Sequence, residues 1–286
     1  MMNPIQVIKA ANAIGFKNLL YTLLYTRTKA RLDAPATTRR REWDRTPPIA
    51  CGAFKRVERK DAHTAVLVFE RAELEVAALE DSLLRLTWTP GALPIPYSLD
   101  ENVAWPGAAL SIAKESEAVV IASEALTLAV GLNGAIRLSE NASRAELLAF
   151  EPPARQGERW LWQGPLKADE AIVGLGQSNG ALNLRGRKRI LWNVEARGDT
   201  GPKKDPLYLS IPVYYARHAA SGHLAFFENS HYSEFDFRND RRALRFEGGA
   251  LRVYLTPGPM PAALERYTRL SGRPALPPRW ALGYHQ

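Results

Sequence analysis

Between Ile49 and Pro257 the chain is written in short apolar runs separated by turn residues, and this rhythm constrains the fold more than any other feature. "TAVLVFE", "AELEVAAL" and "SLLRLTWT" come first, then "AVVIA" and "LTLAVGLNGAIRL". "AIVGLG", "RILWNV", "SIPVYYAR", "GHLAFFEN", "SEFDF", "ALRFEGG" and "LRVYLTPG" follow. Runs of this length, closely spaced and without long helices between them, predict antiparallel strands rather than a doubly wound sheet. The expected fold is mainly β, a large antiparallel two-sheet β-sandwich over residues 46–258. Asn133-Gly134 between two apolar runs predicts a two-residue type I′ hairpin, because both central residues of that turn need positive φ.

The flanks read differently. Residues 1–45 form a basic, partly helical extension: nine Lys/Arg stand against three Asp/Glu, a net of +6. The other 241 residues hold 29 against 27, a net of +2, so the total of +8 does not describe a nucleic-acid-binding body. Ile5, Ile8, Ala11, Phe16, Leu19, Leu20, Leu23 and Leu24 fall roughly at helical spacing. Such a helix could lie on a membrane surface or dock on the protein body, and docking is the expectation carried forward. "TTRRREWDRTPP" reads as a linker. The pattern does not fit a signal peptide, and no run is long and apolar enough to span a bilayer, so a cytoplasmic location is expected.

Residues 259–286 hold a helix and a connector. In "GPMPAALERYTRLSGRP", Pro261 marks the first turn, Leu264, Tyr267 and Leu270 share a face, and Gly272 follows the end. "ALPPRW" then leads to Trp280–Tyr284, which read as a short buried strand. The single cysteine, Cys51, excludes an internal disulfide and reads as a small buried apolar residue.

From Val173 to Gln286 the chain resembles the N-terminal, galactose-mutarotase-like sandwich of glycoside hydrolase family 31, the α-glucosidase and α-xylosidase group. The residues that carry this are "VGLGQSNGALNLRGRKRILWNVEA", "DPLYLSIPVYY", "GHLAFFENSHYSEFDF" and "LRVYLTPGPMPAALERYTRLSGRPALPPRWALGYHQ". The resemblance implies retaining hydrolysis of α-glycosidic bonds by a carboxylate nucleophile and a carboxylic acid. Both would come from a (β/α)₈ barrel whose first strand resembles "WALGYHQ". A chain ending at Gln286 is therefore expected to lack the catalytic pair and to be inactive alone, so no catalytic residue is assigned.

What the resemblance does carry over is a loop reaching from the sandwich toward the sugar pocket, here "WNVEARGDTGPKKDPLY". Its acidic position is similar to Glu195, where relatives have Asp, with Asp199 as a further substrate-binding candidate; a carboxylate suits sugar hydroxyls. Asp205 reads as a structural turn cap. His285 and Gln286 would lie at the end of the barrel strand. The partners implied are an α-glucoside-type oligosaccharide and the catalytic barrel, with no nucleic acid and no cofactor. The alternative is a free-standing carbohydrate-binding module.

Other motifs read as structural. "GLGQSNG" has the spacing G-x-G-x-x-x-G with a strand expected after it, so a tight turn replaces the dinucleotide fingerprint. "LRGRKRI" reads as a solvated strand edge. His63, His218, His223, His231 and His285 form no metal-binding pattern. Galactose mutarotase pairs a histidine with a carboxylate, and His223 or His231 with Glu228 could imitate such a pair, but strand alternation would keep His223 and Glu228 from converging. Trp88, Trp105, Trp160, Trp162 and Trp192 default to core packing, with Trp160 and Trp162 the leading pair for sugar stacking if they share an exposed face.

Overall fold

The computed structural model describes residues 15–96, 98–194, 205–219 and 221–283. The chain falls into two units, Met1–Pro47 and Pro48–Gln286. The first holds α1 (Phe16–Arg45). The hydroxyls of Thr22 and Thr26 donate to the carbonyls of Asn18 and Thr22, at 2.8 and 2.7 Å, which satisfies them within the helix. Leu20, Leu23 and Leu24 are exposed. The stretch expected as a linker is helical as far as Arg45; it contains no glycine, and the prolines at 47 and 48 come only after the helix has ended.

The second unit is antiparallel throughout. After β1 (Ile49–Ala50), the strands β2 (Phe54–Arg59), β3 (Thr64–Phe69), β4 (Glu73–Glu80) and β5 (Leu83–Thr89) form successive hairpins. A separate meander comprises β6 (Ser111–Lys114), β7 (Ala118–Ala122), β8 (Leu126–Gly131), β9 (Ile136–Glu140) and β10 (Glu146–Phe150). Next come β11 (Ala154–Gln156), β12 (Arg159–Pro165), β13 (Ala171–Gly174), β14 (Lys188–Leu191), β15 (Val213–His218) and β16 (Ser221–Phe227). β17 (Ser233–Asp236), β18 (Arg241–Phe246) and β19 (Leu251–Pro257) complete the set, and α2 (Met260–Ser271) follows.

These strands make three sheets where two were expected. Their orders are β1-β11-β12-β18-β17-β14, β10-β9-β8-β7-β6 and β13-β15-β16-β19-β5-β4-β3-β2. One apolar core draws on all three. The eight-stranded sheet is apolar on both faces. On β16, Ala225 and Phe227 point into the main core, whereas Leu224 and Phe226 join Tyr254, Ala263 and Leu270 in a second cluster under α2. α2 therefore buries Ala263 and Leu270 with Tyr267 beside them, while Leu264, expected on that face, is exposed.

Two turns also differ from expectation. In the β8–β9 hairpin Gly134 donates to the Gly131 carbonyl at 2.8 Å, and Asn133 Oδ1 accepts from Ala135 N–H. Of the loop residues only Gly134 has positive φ (+89°), the pattern of a longer hairpin with one left-handed glycine rather than type I′. At the other end, Arg279–Leu282 form a 3₁₀ turn with Trp280 79% exposed, instead of a buried strand. Among the described residues nothing pairs with this segment in a sheet.

Candidate functional site

Glu195 and Asp199, the predicted substrate contacts, lie outside the described residues, as do His285 and Gln286. The two roots of the 195–204 segment are described, and side chains clamp them together. Ser210 N–H donates to Asn193 Oδ1 at 2.8 Å, and Val194 N–H to the Leu207 carbonyl at 3.0 Å. Asp205 Oδ2 accepts from Ile190 N–H at 2.7 Å, and its Oδ1 lies 2.8 Å from Arg189 Nη1. Asp205 is thus a structural residue that ties the returning root to β14 instead of capping its own turn. Burial pushes its carboxyl up, with the Ile190 and Arg189 contacts opposing; burial likewise pushes the Arg189 guanidinium down.

That arrangement also refines the "LRGRKRI" reading. β14 is an edge strand, but Arg189 on it is buried and paired. The "GLGQSNG" turn supports the other root. Gln177 N–H donates to the Leu209 carbonyl at 2.9 Å, and a Cβ on Gly176 (φ +80°) would stand 2.4 Å from that same oxygen. Glycine is required there by close backbone approach.

Between the roots opens a cavity of about 410 Å³, lined by Trp192, Asn193, Ser210, Ile211, Glu228 and His231 among others. A second cavity of about 190 Å³ shares the wall from Glu228 to His231 and the strap at Pro94 and Ile95. Exposed apolar residues line these cavities: Leu93, Ile95, Ile211 and Trp192, the last at 50%, with its ring 6.2 Å from that of Tyr232.

Glu228 is the only acid among the described lining residues of the first cavity, and it is 3% exposed. Its Oε2 accepts from the Tyr254 hydroxyl at 2.9 Å and lies 3.5 Å from Arg252 Nη1, while Oε1 has no hydrogen-bond partner among the described residues. Burial and the neighbouring carboxylate push the Tyr254 phenol up to about 12, so it stays a donor. Arg252 also donates through Nε to Thr87 Oγ1 at 3.0 Å. Retaining hydrolysis needs two carboxyls across the scissile bond, and the described lining offers one.

Of the two histidines considered with Glu228, His231 lines the same two cavities, whereas His223 belongs to a different network. His223 is buried, its ring 6.0 Å from Tyr214. Tyr214 accepts from Arg242 Nη1 at 3.3 Å, and Arg242 Nη2 donates to Glu170 Oε1 at 2.6 Å. Lys167 N–H occupies Glu170 Oε2 at 2.9 Å. Burial first, then the charges of Arg242 and Lys167, hold the imidazole well below its usual range. His223 and Glu228 do not converge.

Trp160 and Trp162 share a face of β12, as their spacing predicts, but that face is the core. Trp160 donates to the Gly249 carbonyl at 3.0 Å, and Trp162 stacks on Phe150 at 3.9 Å between centroids. Neither is open to a sugar. Trp192, at the cavity rim, is the exposed indole that spacing did not single out. The signal was present in "LWN", where the apolar run breaks on a polar residue. Among the described residues no cluster of metal-ligating side chains occurs.

A three-sheet antiparallel sandwich with a helix on the outer face of its largest sheet, and a cavity beside two segments tied together by side chains, fits the class of galactose-mutarotase-like domains. Residues 73–236 match the family described as glycosyl hydrolase 31 N-terminal galactose mutarotase-like domain, and the chain belongs to that family. It is 38% identical over 160 residues to alpha-glucosidase 2 of Bacillus thermoamyloliquefaciens, covering 53% of this chain and 20% of that protein. Against the alpha-glucosidase of Saccharolobus solfataricus identity is 31% over 153 residues, covering 52% and 22%. The chain thus spans about a fifth of the length of these relatives. The GH31 dextranase of Flavobacterium johnsoniae, complexed with glucose, superposes at a TM-score of 0.70 with 22% identity, over 82% of this chain and 30% of that one. The cycloalternan-forming enzyme of Listeria monocytogenes, in complex with a pentasaccharide substrate, superposes at 0.69 with 16% identity, over 83% and 24%.

Proposed function

We propose that this chain is the supporting sandwich of a retaining α-glycosidase acting on α-glucosidic or related bonds. The apolar rim packs on a (β/α)₈ catalytic domain, and the segment 195–204 forms one wall of the sugar pocket. The observation that carries the reading is the clamped pair of loop roots flanking the 410 Å³ cavity in a chain of this family. Asn193, Asp205 and Arg189 hold the loop. Glu195, with Asp199 as second candidate, accepts hydrogen bonds from sugar hydroxyls. The rim excludes water around these bonds, which strengthens them. The nucleophile and the acid come from the partner domain, and the 286-residue chain alone turns nothing over. The cytoplasm is the proposed compartment, and cell fractionation tests it.

The test begins with the native gene product, captured from source cells by an antibody against the sandwich. The expected product is several-fold longer than 286 residues and hydrolyses aryl α-glucosides. In it, Glu195→Ala lowers kcat/KM roughly 10- to 100-fold, as losing one hydrogen bond to a charged group does. A native product of 286 residues that binds α-glucans without cleaving them would favour the binding-module alternative. Turnover by the purified 286-residue protein, abolished by an α-glucosidase inhibitor, would overturn the assignment of catalysis to the partner.

A further inference from the structure

We propose that the 410 Å³ cavity binds one ring of a neutral, polyhydroxylated molecule of pyranose size. This goes beyond the supporting role proposed above, since the binding belongs to the sandwich itself. Two groups in the lining set the chemistry. Glu228 is 3% exposed, and its Oε1 has no hydrogen-bond partner among the described residues. A buried carboxylate oxygen is costly until a donor reaches it. In the same lining Trp192 leaves half of its indole open, an apolar face of the kind a ring can stack on. A pyranose offers a match to both, with hydroxyls around its edge and C–H groups on its faces.

The wall that carries Glu228 is fixed in advance. Asn229 Nδ2 donates to the Gly248 carbonyl at 2.9 Å, and its Oδ1 accepts from His231 N–H at 2.9 Å. The His231 ring rests on the same glycine turn, where a Cβ on Gly248 would stand 2.8 Å from it. A ligand therefore meets a wall that needs little ordering, which favours binding. Other ligand classes fit less well. An anion would face Glu228. A cation would find that charge already answered by Arg252 at 3.5 Å, with Tyr254 donating at 2.9 Å, and would lose its hydration for little return. A wholly apolar molecule would leave Oε1 orphaned. A hydroxyl donates to the carboxylate without adding charge. The volume lies near the lower end of the range for ligand pockets, about 300–1,000 Å³, which suits one ring rather than a chain of them.

Saturation-transfer NMR on the full 286-residue chain, with glucose as the probe, tests this. Glucose is expected to bind saturably with a roughly millimolar Kd, the range open to so small a ligand. Trp192→Ala should weaken binding about tenfold by removing the stacking face. Glu228→Gln should weaken it by about the same factor, because a neutral amide replaces a charged acceptor. Trp192→Ala removes a half-exposed ring and is expected to keep the thermal transition of the sandwich, which separates a lost contact from lost folding. Ethanolammonium, the cationic probe, is expected not to bind. The proposal is overturned by absence of saturation up to about 50 mM glucose, by unchanged affinity in either variant, or by Glu228-dependent binding of ethanolammonium instead. Absence of glucose binding leaves the supporting role standing, whereas a native product of 286 residues removes that role and leaves this site.

Discussion

Among the arginine–glutamate pairs that the sandwich encloses, Arg242–Glu170 and Arg252–Glu228 are built to different standards of completion. In Arg242–Glu170 both carboxylate oxygens are occupied, one by the guanidinium at 2.6 Å and one by Lys167 N–H, and both side chains are almost wholly buried. In Arg252–Glu228 the closest approach is 3.5 Å, Tyr254 supplies the short bond, and Glu228 Oε1 has no partner among the described residues at the cavity wall. A buried charge is tolerated where its partners are in place and is costly where they are missing. The first pair therefore belongs to the scaffold. The second presents a carboxylate oxygen to the cavity.

The largest effect should come from the finished pair. Glu170→Ala leaves Arg242 buried and uncompensated, and urea denaturation should record a loss of about 3–5 kcal/mol. A loss under about 1 kcal/mol would erase the distinction. Glu228→Ala should cost less, about 1–3 kcal/mol, because Arg252 keeps Thr87 and is partly solvated. Equal losses in the two variants would show that the unfilled oxygen is not what sets them apart.

The pH dependence sharpens the contrast, because His223 lies beside the first pair alone. Its folded-state affinity for protons is depressed, so the unfolded chain binds a proton first as pH falls below about 6.5. Stability is complete above that value and declines below it by about 1.4 kcal/mol per pH unit until the folded imidazole also titrates. Urea midpoints measured from pH 7 down to pH 5 should follow this slope, and His223→Gln should flatten it. The smallest effect is expected at Glu234, whose carboxylate meets Lys188 and Arg245 at 2.8 and 3.1 Å near the surface. Glu234→Gln should cost under about 1 kcal/mol, since both partners stay partly hydrated.

The sequence carried the strand rhythm and the Pro–Gly limits of α2, because both are written in neighbouring residues. It did not carry which face a strand buries. Trp160 and Trp162 share a side by their spacing, but only the partners Phe150 and Gly249 make that side interior. β16 is buried at every position after the first and apolar without a break from Leu224 to Phe227, so its alternation between two cores leaves no period to read. The third sheet was missed because hairpin signals report neighbours in sequence and not where a meander detaches. The polar networks were equally invisible, since Glu170 meets Arg242 across 72 positions of chain.

Cys51 carries a further consequence. Its thiol is packed where a Cβ on Gly134 would stand 2.4 Å from Sγ, with Phe69 and Trp88 close by, and burial pushes it up to about 11. At neutral pH it is neither ionised nor reachable, so an alkylating reagent must wait for the β8–β9 hairpin to lift from the eight-stranded sheet. With one sulfhydryl in 286 residues, the labelling rate times that opening directly, and the molecule carries its own stopwatch for the parting of its layers.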